Sequence, residues 1–329
     1  MLKVIPVEEA VGLPLAHDIT EIIPGKHKGP AFRRGHIVRK EDISKLLDVG
    51  KRNLYVMELD RDELHEEEAA HRVAKAAAGP NLKLVGPSEG RVNLVAEIAG
   101  LLKIDSDLLY RLNSLGNLVM ATLLSDHYVN KGDVVAGTRT IPVVVKEELI
   151  HQAEALCKEH PIVRILPMPA RRIHLIVTGS EVYTGRIQDG FEPVVRRKTA
   201  AMGSHLADKQ VANDDPDQIA KLIQEAQGAG AEIILVSGGM SVDPDDKTPE
   251  GIRRSGATIE SHGFPVLPGS MFLMAYLNDT PILGLSGCVL HDPFSAFDIL
   301  LPRLLAGDKI TRPDIMAMGH GGLQKKHDH

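Results

Sequence analysis

The run Glu232-Ile-Ile-Leu-Val-Ser-Gly-Gly239 constrains this chain more than any other stretch, because a short apolar strand passes without a break into two glycines. In a parallel sheet, ligands settle in the crevice beyond the carboxyl ends of the strands, and paired glycines let the backbone turn so that bare N–H groups face an anion. Thr248, Pro249 and Glu250 then read as a helix start: threonine suits an N-cap, proline the first helical position, and an acid the positive end of the dipole. Asp243, Asp245 and Asp246 stand between turn and helix and would repel a bare phosphate. A hard cation such as Mg²⁺, held by one or two carboxylates and by substrate oxygens, reconciles the two. An ordinary strand–turn–helix with a solvated acidic loop has the same local pattern.

From Arg171 onward, apolar strands alternate with amphipathic helices, the signature of a parallel α/β layer structure. Strands are expected at Ile173–Val177, His205–Val211, Glu232–Val236, Ala257–Ser261 and Pro281–Leu285. Helices are expected at Pro193–Met202, from Asp214-Asp215-Pro216 to Gly228 or Gly230, at Thr248–Arg254 and at His291–Leu305, the last with Pro293 in its first turn. The amino-terminal half is a mixed α+β, β-rich region. It has an expected helix over Lys40–Leu47 and another over Asp60–Pro80, where Asp60 and Glu63 have capping-box spacing and Gly79-Pro80 is a stop. Further helices are expected near Asp105–Leu112 and over Lys146–Glu159, with a tight turn at Lys131-Gly132-Asp133 and an edge strand after Pro142. His65 and His71 lie six apart rather than the four of a two-histidine zinc helix, so a solvated face with Glu67–His71 pairing is expected. Pro161, Pro167 and Pro169 mark a stiff connection. The resulting division is 1–80, 81–165, 166–310 and a frayed tail over 311–329 whose histidines are expected to be unimportant or at most an adventitious metal trap.

A net charge of −6, no Trp and 3% aromatic residues leave neither a basic groove nor a stacking platform for nucleic acid. Cys157 and Cys288 form no CxxC, and no apolar run reaches membrane-spanning length, so a soluble, cytoplasmic protein is expected. Three loops leave strand ends on one edge: Thr178–Asp189, Ser237–Thr248 and Ser286–Asp292. Each sets glycine beside hydroxyl or acidic groups, and Leu267-Pro-Gly-Ser-Met271 adds a further glycine turn.

Taken in order, these pieces resemble the molybdopterin-binding proteins of molybdenum cofactor biosynthesis, the molybdopterin molybdotransferase and gephyrin-like family. Thr178-Gly-Ser-Glu181 is similar to T-G-D-E, and Gly185 with Asp189 to the G…D that follows it. Ser237-Gly-Gly-Met-Ser-Val242 with Asp246 resembles S-G-G-V-S-V-G-x-x-D, and Asp246-Lys-Thr-Pro-Glu250 resembles D-x-T-P-E. Pro268-Gly269, then Pro281-Ile-Leu-Gly-Leu-Ser-Gly287, follows the order P-G…P-V-x-G-L-P-G. Ala10–Ile19, with its A-x-D ending at Asp18, resembles the opening of the longer members.

The resemblance implies a three-layer α/β/α domain that binds molybdopterin, free or adenylylated, and that could insert molybdate with Mg²⁺. It implies a ligand cradle of Thr178, Gly179, Ser180, Glu181, Ser237, Gly238, Gly239, Ser241, Pro268, Gly269, Ser286, Gly287 and Cys288. Asp246 and Asp189 would be the catalytic acids, and Asp246 with Glu181 the metal ligands. The acids would either coordinate Mg²⁺ or hydrogen-bond pterin amino groups. A dimer or trimer, with molybdoenzymes or other cofactor-biosynthesis proteins as partners, is also implied. Three departures stand out: Ser180 replaces an aspartate, Leu285-Ser-Gly-Cys-Val289 replaces L-P-G-N-P, and the amino-terminal half lacks D-G-Y-A. They open one alternative, a non-catalytic carrier or sensor of the cofactor; a further one is a nucleotide hydrolase like the competence-damage proteins, which share this domain type. A thiolate at Cys288 could meet a soft metal such as molybdenum, whereas a buried small residue would serve packing alone.

Overall fold

The computed structural model describes residues 2–23, 27–57, 59–241 and 243–324. It divides into two compact units, Met1–Ser125 with Val129–Leu166, and Asp126–Tyr128 with Pro167–His329. Among the described residues no helix is long and apolar enough to cross a membrane.

The first unit holds two separate cores. Val7, Leu15, Ile19, Leu46 and Leu54 form a small one under the Leu2–Pro6/Asn53–Met57 strand pair, the Ile19–Ile23/His27–Phe32 hairpin and the Asp42–Asp48 helix. The second lies between a four-stranded antiparallel sheet, in the order Leu82–Ser88, Arg91–Ala96, Val134–Thr140, Leu118–Thr122, and the Glu66–Ala77 helix. That helix turns Ala69, Ala70, Val73, Ala74 and Ala77 inward, a stripe of small residues at helical spacing that lets it lie close on the sheet. Arg72 ties it to the Glu147–Leu156 helix by two bonds to the Glu154 carboxylate (2.9 and 2.8 Å) and one to Glu147 (2.8 Å).

The helix expected from Asp60 starts later. The Asp60 N–H does reach Glu63 Oε2 (3.2 Å), but as a turn, since Glu63–His65 is a strand paired with Val144–Lys146. Strand pairing wins there because it satisfies backbone groups that an exposed first helical turn would leave to water. His65 becomes the N-cap, its side chain accepting the Glu67 N–H, and is buried rather than solvated. Glu67 pairs with Arg34, not with His71.

The second unit is a six-stranded sheet in the order His205–Ala212, Arg172–Thr178, Ile233–Ser237, Thr280–Leu285, Leu273–Leu277, Thr258–His262. The first four strands run parallel and the last two join antiparallel. Alternation splits the strand side chains between two cores. Leu175, Val177, Leu235 and Leu285 meet Phe297, Leu300 and Leu304 of the Ala296–Leu305 helix on one face. Ile176, Ile234, Val236 and Ile282 meet Ile219 and Ile223 of the Pro216–Gly228 helix and Ile252 of Thr248–Arg254 on the other. Each fully buried side chain of this size is worth about 1.5–3 kcal/mol, so the three layers hold the strand ends rigidly.

The Leu273–Leu277 strand was not predicted. It is buried on both faces, which removes the period-two signal that marks a half-exposed strand. The closing helix begins at Ala296, not His291. Pro293 pushes Asp292 into extended backbone (φ −98°, ψ 130°), and Ser295 makes a capping box with Asp298. The expected tail is also ordered in its first part: Arg312–Ala317 is a helix capped by Thr311 and Asp314, with Ile315 buried. Leu267 then exchanges backbone bonds with Gly322 (2.8 Å) and Gln324 (2.9 Å). His327 and His329 lie outside the described residues.

Candidate functional site

The parallel register sets Val177 beside Ser237, and Ser237 beside Leu285, so three strands end level and release their loops from one edge. Thr178, the last residue of its strand, is buried. Its hydroxyl donates to the Ser237 carbonyl (3.1 Å) and lies 2.8 Å from Thr248 Oγ1. With the Thr178 proton so used, the Thr248 hydroxyl must be the donor between them. Thr248 is therefore not the N-cap expected of it. Lys247 occupies that position without a side-chain bond, and Thr248, the first helical residue, spends its hydroxyl on the neighbouring strand end.

Gly238 and Gly239 have φ of +91° and +54°. A Cβ on Gly238 would stand 2.3 Å from the Thr178 carbonyl oxygen, and one on Gly239 2.9 Å from Thr248 Oγ1. The turn is thus clamped to the threonine pair. Beyond it, Ser241 donates its N–H to Asp246 Oδ2 (2.7 Å), and Asp246 donates its own to the Asp243 carbonyl (3.0 Å). Gly269, with φ +129°, lies so close to the Ala296–Leu305 helix that a Cβ would meet Ala296 Cβ at 2.5 Å, and the Ala296 N–H bonds the Pro268 carbonyl (3.0 Å).

Two adjoining clefts result. One, of about 530 Å³, is lined by Gly238, Gly239, Pro268, Gly269, Ser286, Gly287 and Cys288 together with apolar side chains. The other, of about 630 Å³, is lined by Thr178, Gly179, Ser180, Glu181, Asp189 and Asp214 and by Asp243, Asp245 and Asp246. Gly238, Gly239, Ser241 and Asp246 belong to both and form the ridge between them. Ser237 is buried below, its hydroxyl without a protein partner among the described residues. Among the described residues no Lys, Arg or His side chain lines either cleft.

Asp189 sits in the acidic cleft with its oxygens committed. They accept N–H bonds from Phe191 (2.7 Å) and Glu192 (3.3 Å), and Lys209 Nζ lies 2.9 Å from Oδ2. That arrangement seats the Phe191–Ala201 helix. Asp214 is the acid that sequence reasoning missed: its Oδ2 accepts the Ser180 N–H (2.8 Å), so a carboxylate does face the Thr178–Glu181 loop although residue 180 is a serine. The signal was in Asp214-Asp215-Pro216, read only as a helix start. Asp215 suffices for that task, accepting the Asp217 N–H (3.0 Å), which leaves Asp214 to the cleft. Cys288 Sγ lies 3.1 Å from Ser286 Oγ, and burial pushes its thiol above the ordinary value, so at neutral pH it is a protonated thiol and not a thiolate.

Among the described residues no three His, Cys, Asp or Glu side chains are grouped closely enough to cage a metal ion. The acids around Asp246 fit a hard cation shared with a ligand's oxygens, for which one or two carboxylates suffice.

A three-layer α/β domain whose glycine turns and acids gather at the carboxyl edge of a parallel sheet has the architecture of the open-sheet class, in which ligands settle at that edge. Residues 174–306 match the family model described as a probable molybdopterin binding domain. Residues 4–58 match a separate domain family of unknown function. A CinA-like protein of Mycobacterium avium is 34% identical over 89 residues, 27% of this chain and 20% of the relative. The chain thus spans about a fifth of the length of such relatives. Among solved structures, the molybdopterin biosynthesis enzyme MoaB of Thermus thermophilus aligns with 42% of this chain and 98% of its own (22% identity, TM-score 0.36). The molybdopterin biosynthesis MoeA protein of Pyrococcus horikosii aligns with 93% of this chain and 75% of its own (13% identity, TM-score 0.35).

Proposed function

We propose that the carboxyl-terminal unit binds a molybdopterin-type ligand, a phosphate-bearing pterin, in molybdenum cofactor biosynthesis. The observation that carries the reading is the ridge of Gly238, Gly239, Ser241 and Asp246 shared by two clefts of different character. The less polar cleft suits a flat heterocycle, and the turn supplies backbone N–H groups for an anion. With no basic side chain among the described residues lining either cleft, the ligand's negative charge is offset by backbone dipoles and by Mg²⁺ held through Asp246, with Glu181 or Asp214 beside it. When bound, Mg²⁺ supplies charge neutralisation between the acids and the ligand's phosphate oxygens. Asp246 orients the turn through Ser241, Asp189 seats the helix that borders both clefts, and Thr178 and Thr248 hold the strand ends together. Molybdate insertion is the activity this arrangement suits, in a dimer or trimer as the family resemblance suggests. Retention of the cofactor without turnover suits it equally.

The test is to denature the purified protein and identify by mass spectrometry the small molecule and metal released, then to titrate the emptied protein with molybdopterin with and without Mg²⁺. Mg²⁺-dependent binding supports the proposal, and turnover of added molybdate separates enzyme from carrier. Absence of binding in both conditions refutes it.

A second reading, nucleotide hydrolysis, is favoured by the likeness to the CinA-like proteins over 89 residues. Pyridine-nucleotide hydrolysis measured on the same preparation decides between them: turnover of the nucleotide without pterin binding selects the second.

A further inference from the structure

The two cores of the first unit share no residue. Buried apolar side chains from 7 to 54 form one and those from 64 to 165 the other. Polar contacts between the 2–57 module and the rest among the described residues include Thr20 Oγ1 to Glu89 Oε1 (2.9 Å), the Arg34–Glu67 ion pair, and His65 to the carbonyl of Ala16. The first two are partly exposed and individually weak. The third is buried, with His65 only 2% and Ala16 3% exposed.

The state of the His65 ring follows from its partners. The Ala16 carbonyl, 2.7 Å from Nε2, can only accept, and the Glu67 N–H, 3.2 Å from Nδ1, can only donate. The ring is therefore neutral with its proton on Nε2. A second proton has to go to Nδ1, where it faces the Glu67 N–H, abolishes the N-cap bond of the Glu66–Ala77 helix and leaves a buried cation whose only close counter-charge among the described residues is Glu67 Oε2, 4.0 Å away.

We propose that His65 is a proton-operated clasp: neutral, it seats the 2–57 module on the start of the Glu66–Ala77 helix, and protonated, it releases it.

The charged groups around the ring come from every element packed there. The module contributes Asp18, Arg34 and His17, with Lys51 near His17. The helix contributes Glu66 and Glu67, and the four-stranded sheet contributes Arg139, 3.9 Å from Glu66. The strand paired with Glu63–His65 brings Lys146, held by Asp62 and Glu63. Burial is the largest influence on His65 and lowers its pKa. The Ala16 carbonyl, Glu67 and Asp18 oppose this and Arg34 adds to it, for a net shift below 6.5. Glu66, buried against Gly90, is shifted upward by desolvation and so becomes neutral earlier than an exposed glutamate as the pH falls, removing a carboxylate that would have steadied the imidazolium. Since the closed form prefers the neutral ring, its advantage is full above the ordinary histidine value and is lost as the pH drops below it.

The experiment is amide hydrogen exchange of the full chain between pH 7.5 and about 5, corrected for intrinsic rates and read separately for 2–57 and 64–165. Opening of 2–57 is expected to rise up to about tenfold for each pH unit below the ordinary value of His65, with the 64–165 core unchanged. His65→Asn keeps an acceptor for the Glu67 N–H but cannot titrate, and is expected to abolish the pH response. Arg34→Gln is expected to raise opening at pH values above the ordinary histidine value and, because Arg34 helps hold the His65 value down, to make the rise at lower pH smaller. The His65 ring resonance, followed by NMR in the unaltered protein, should titrate together with the opening. A flat wild-type profile, a wild-type response in His65→Asn, or ring titration at a pH where opening does not change would each overturn the proposal.

Discussion

The hydroxyl of Thr178 lies 2.8 Å from that of Thr248, joining the end of one strand to the first residue of a helix seventy positions later. Because the same Thr178 hydroxyl also bonds the Ser237 carbonyl, one buried atom fixes both flanks of the Gly238-Gly239 turn. Thr178→Val removes the acceptor of the Thr248 hydroxyl and the hydroxyl donor to the Ser237 carbonyl. Chemical denaturation should show a loss of about 1–3 kcal/mol, the usual cost of stranding a buried polar group. An unchanged midpoint would mean that the pair does not hold the turn.

Gly238→Ala meets two obstacles, the positive φ and a backbone oxygen that cannot move aside as a flexible side-chain end could. Backbone strain of this kind costs on the order of 1–3 kcal/mol, and relaxing it requires the turn to shift. The variant should fold with a lowered melting temperature and lose ligand binding by more than tenfold in calorimetry. Gly287→Ala, where a Cβ meets open space, should leave the melting temperature unchanged.

Asp246→Asn keeps an oxygen for the Ser241 N–H while removing the charge. We expect stability within about 0.5 kcal/mol of the parent, as for most surface changes, and at least a tenfold loss of Mg²⁺-dependent ligand affinity in titrations with and without chelator. Equal affinity in both proteins would remove Asp246 from any cation site.

Cys288 should behave as a protected thiol. Burial lifts its pKa above 9.0, with the Ser286 hydroxyl opposing in part. An acid whose folded value is raised favours the fold in its neutral form, so the contribution to stability is complete below 9.0 and declines as the pH rises past it. Alkylation by iodoacetamide should be slow at neutral pH and should accelerate above the pH at which a free thiol reacts fully. Fast alkylation at pH 7 would show a thiolate and revive a soft-metal role.

Much of the second unit was legible because its signals are local. Strand alternation, Asp215-Pro216 at a helix start and the Gly238-Gly239 turn are each set by neighbours a few residues apart. The ordered glycine motifs, with spacing preserved across more than a hundred positions, carried the family likeness as well. What failed was non-local. Leu273–Leu277 has no alternation because it is covered on both faces, and the segment before Ala296 is broken by Pro293 and Ser295 acting together.

Residue type and order decided that this chain has a layered α/β half and which loops leave its strand ends. Only tertiary structure decided that Thr248 serves the neighbouring strand and not its own helix, that Asp189 is consumed by helix seating, that Asp214 stands beside Ser180, and that His65 is buried. The reason is physical: a side chain's local preference is worth a few tenths of a kcal/mol to about one, while a buried partner left unmet costs several times more, so the partners assembled by the fold set each residue's final task.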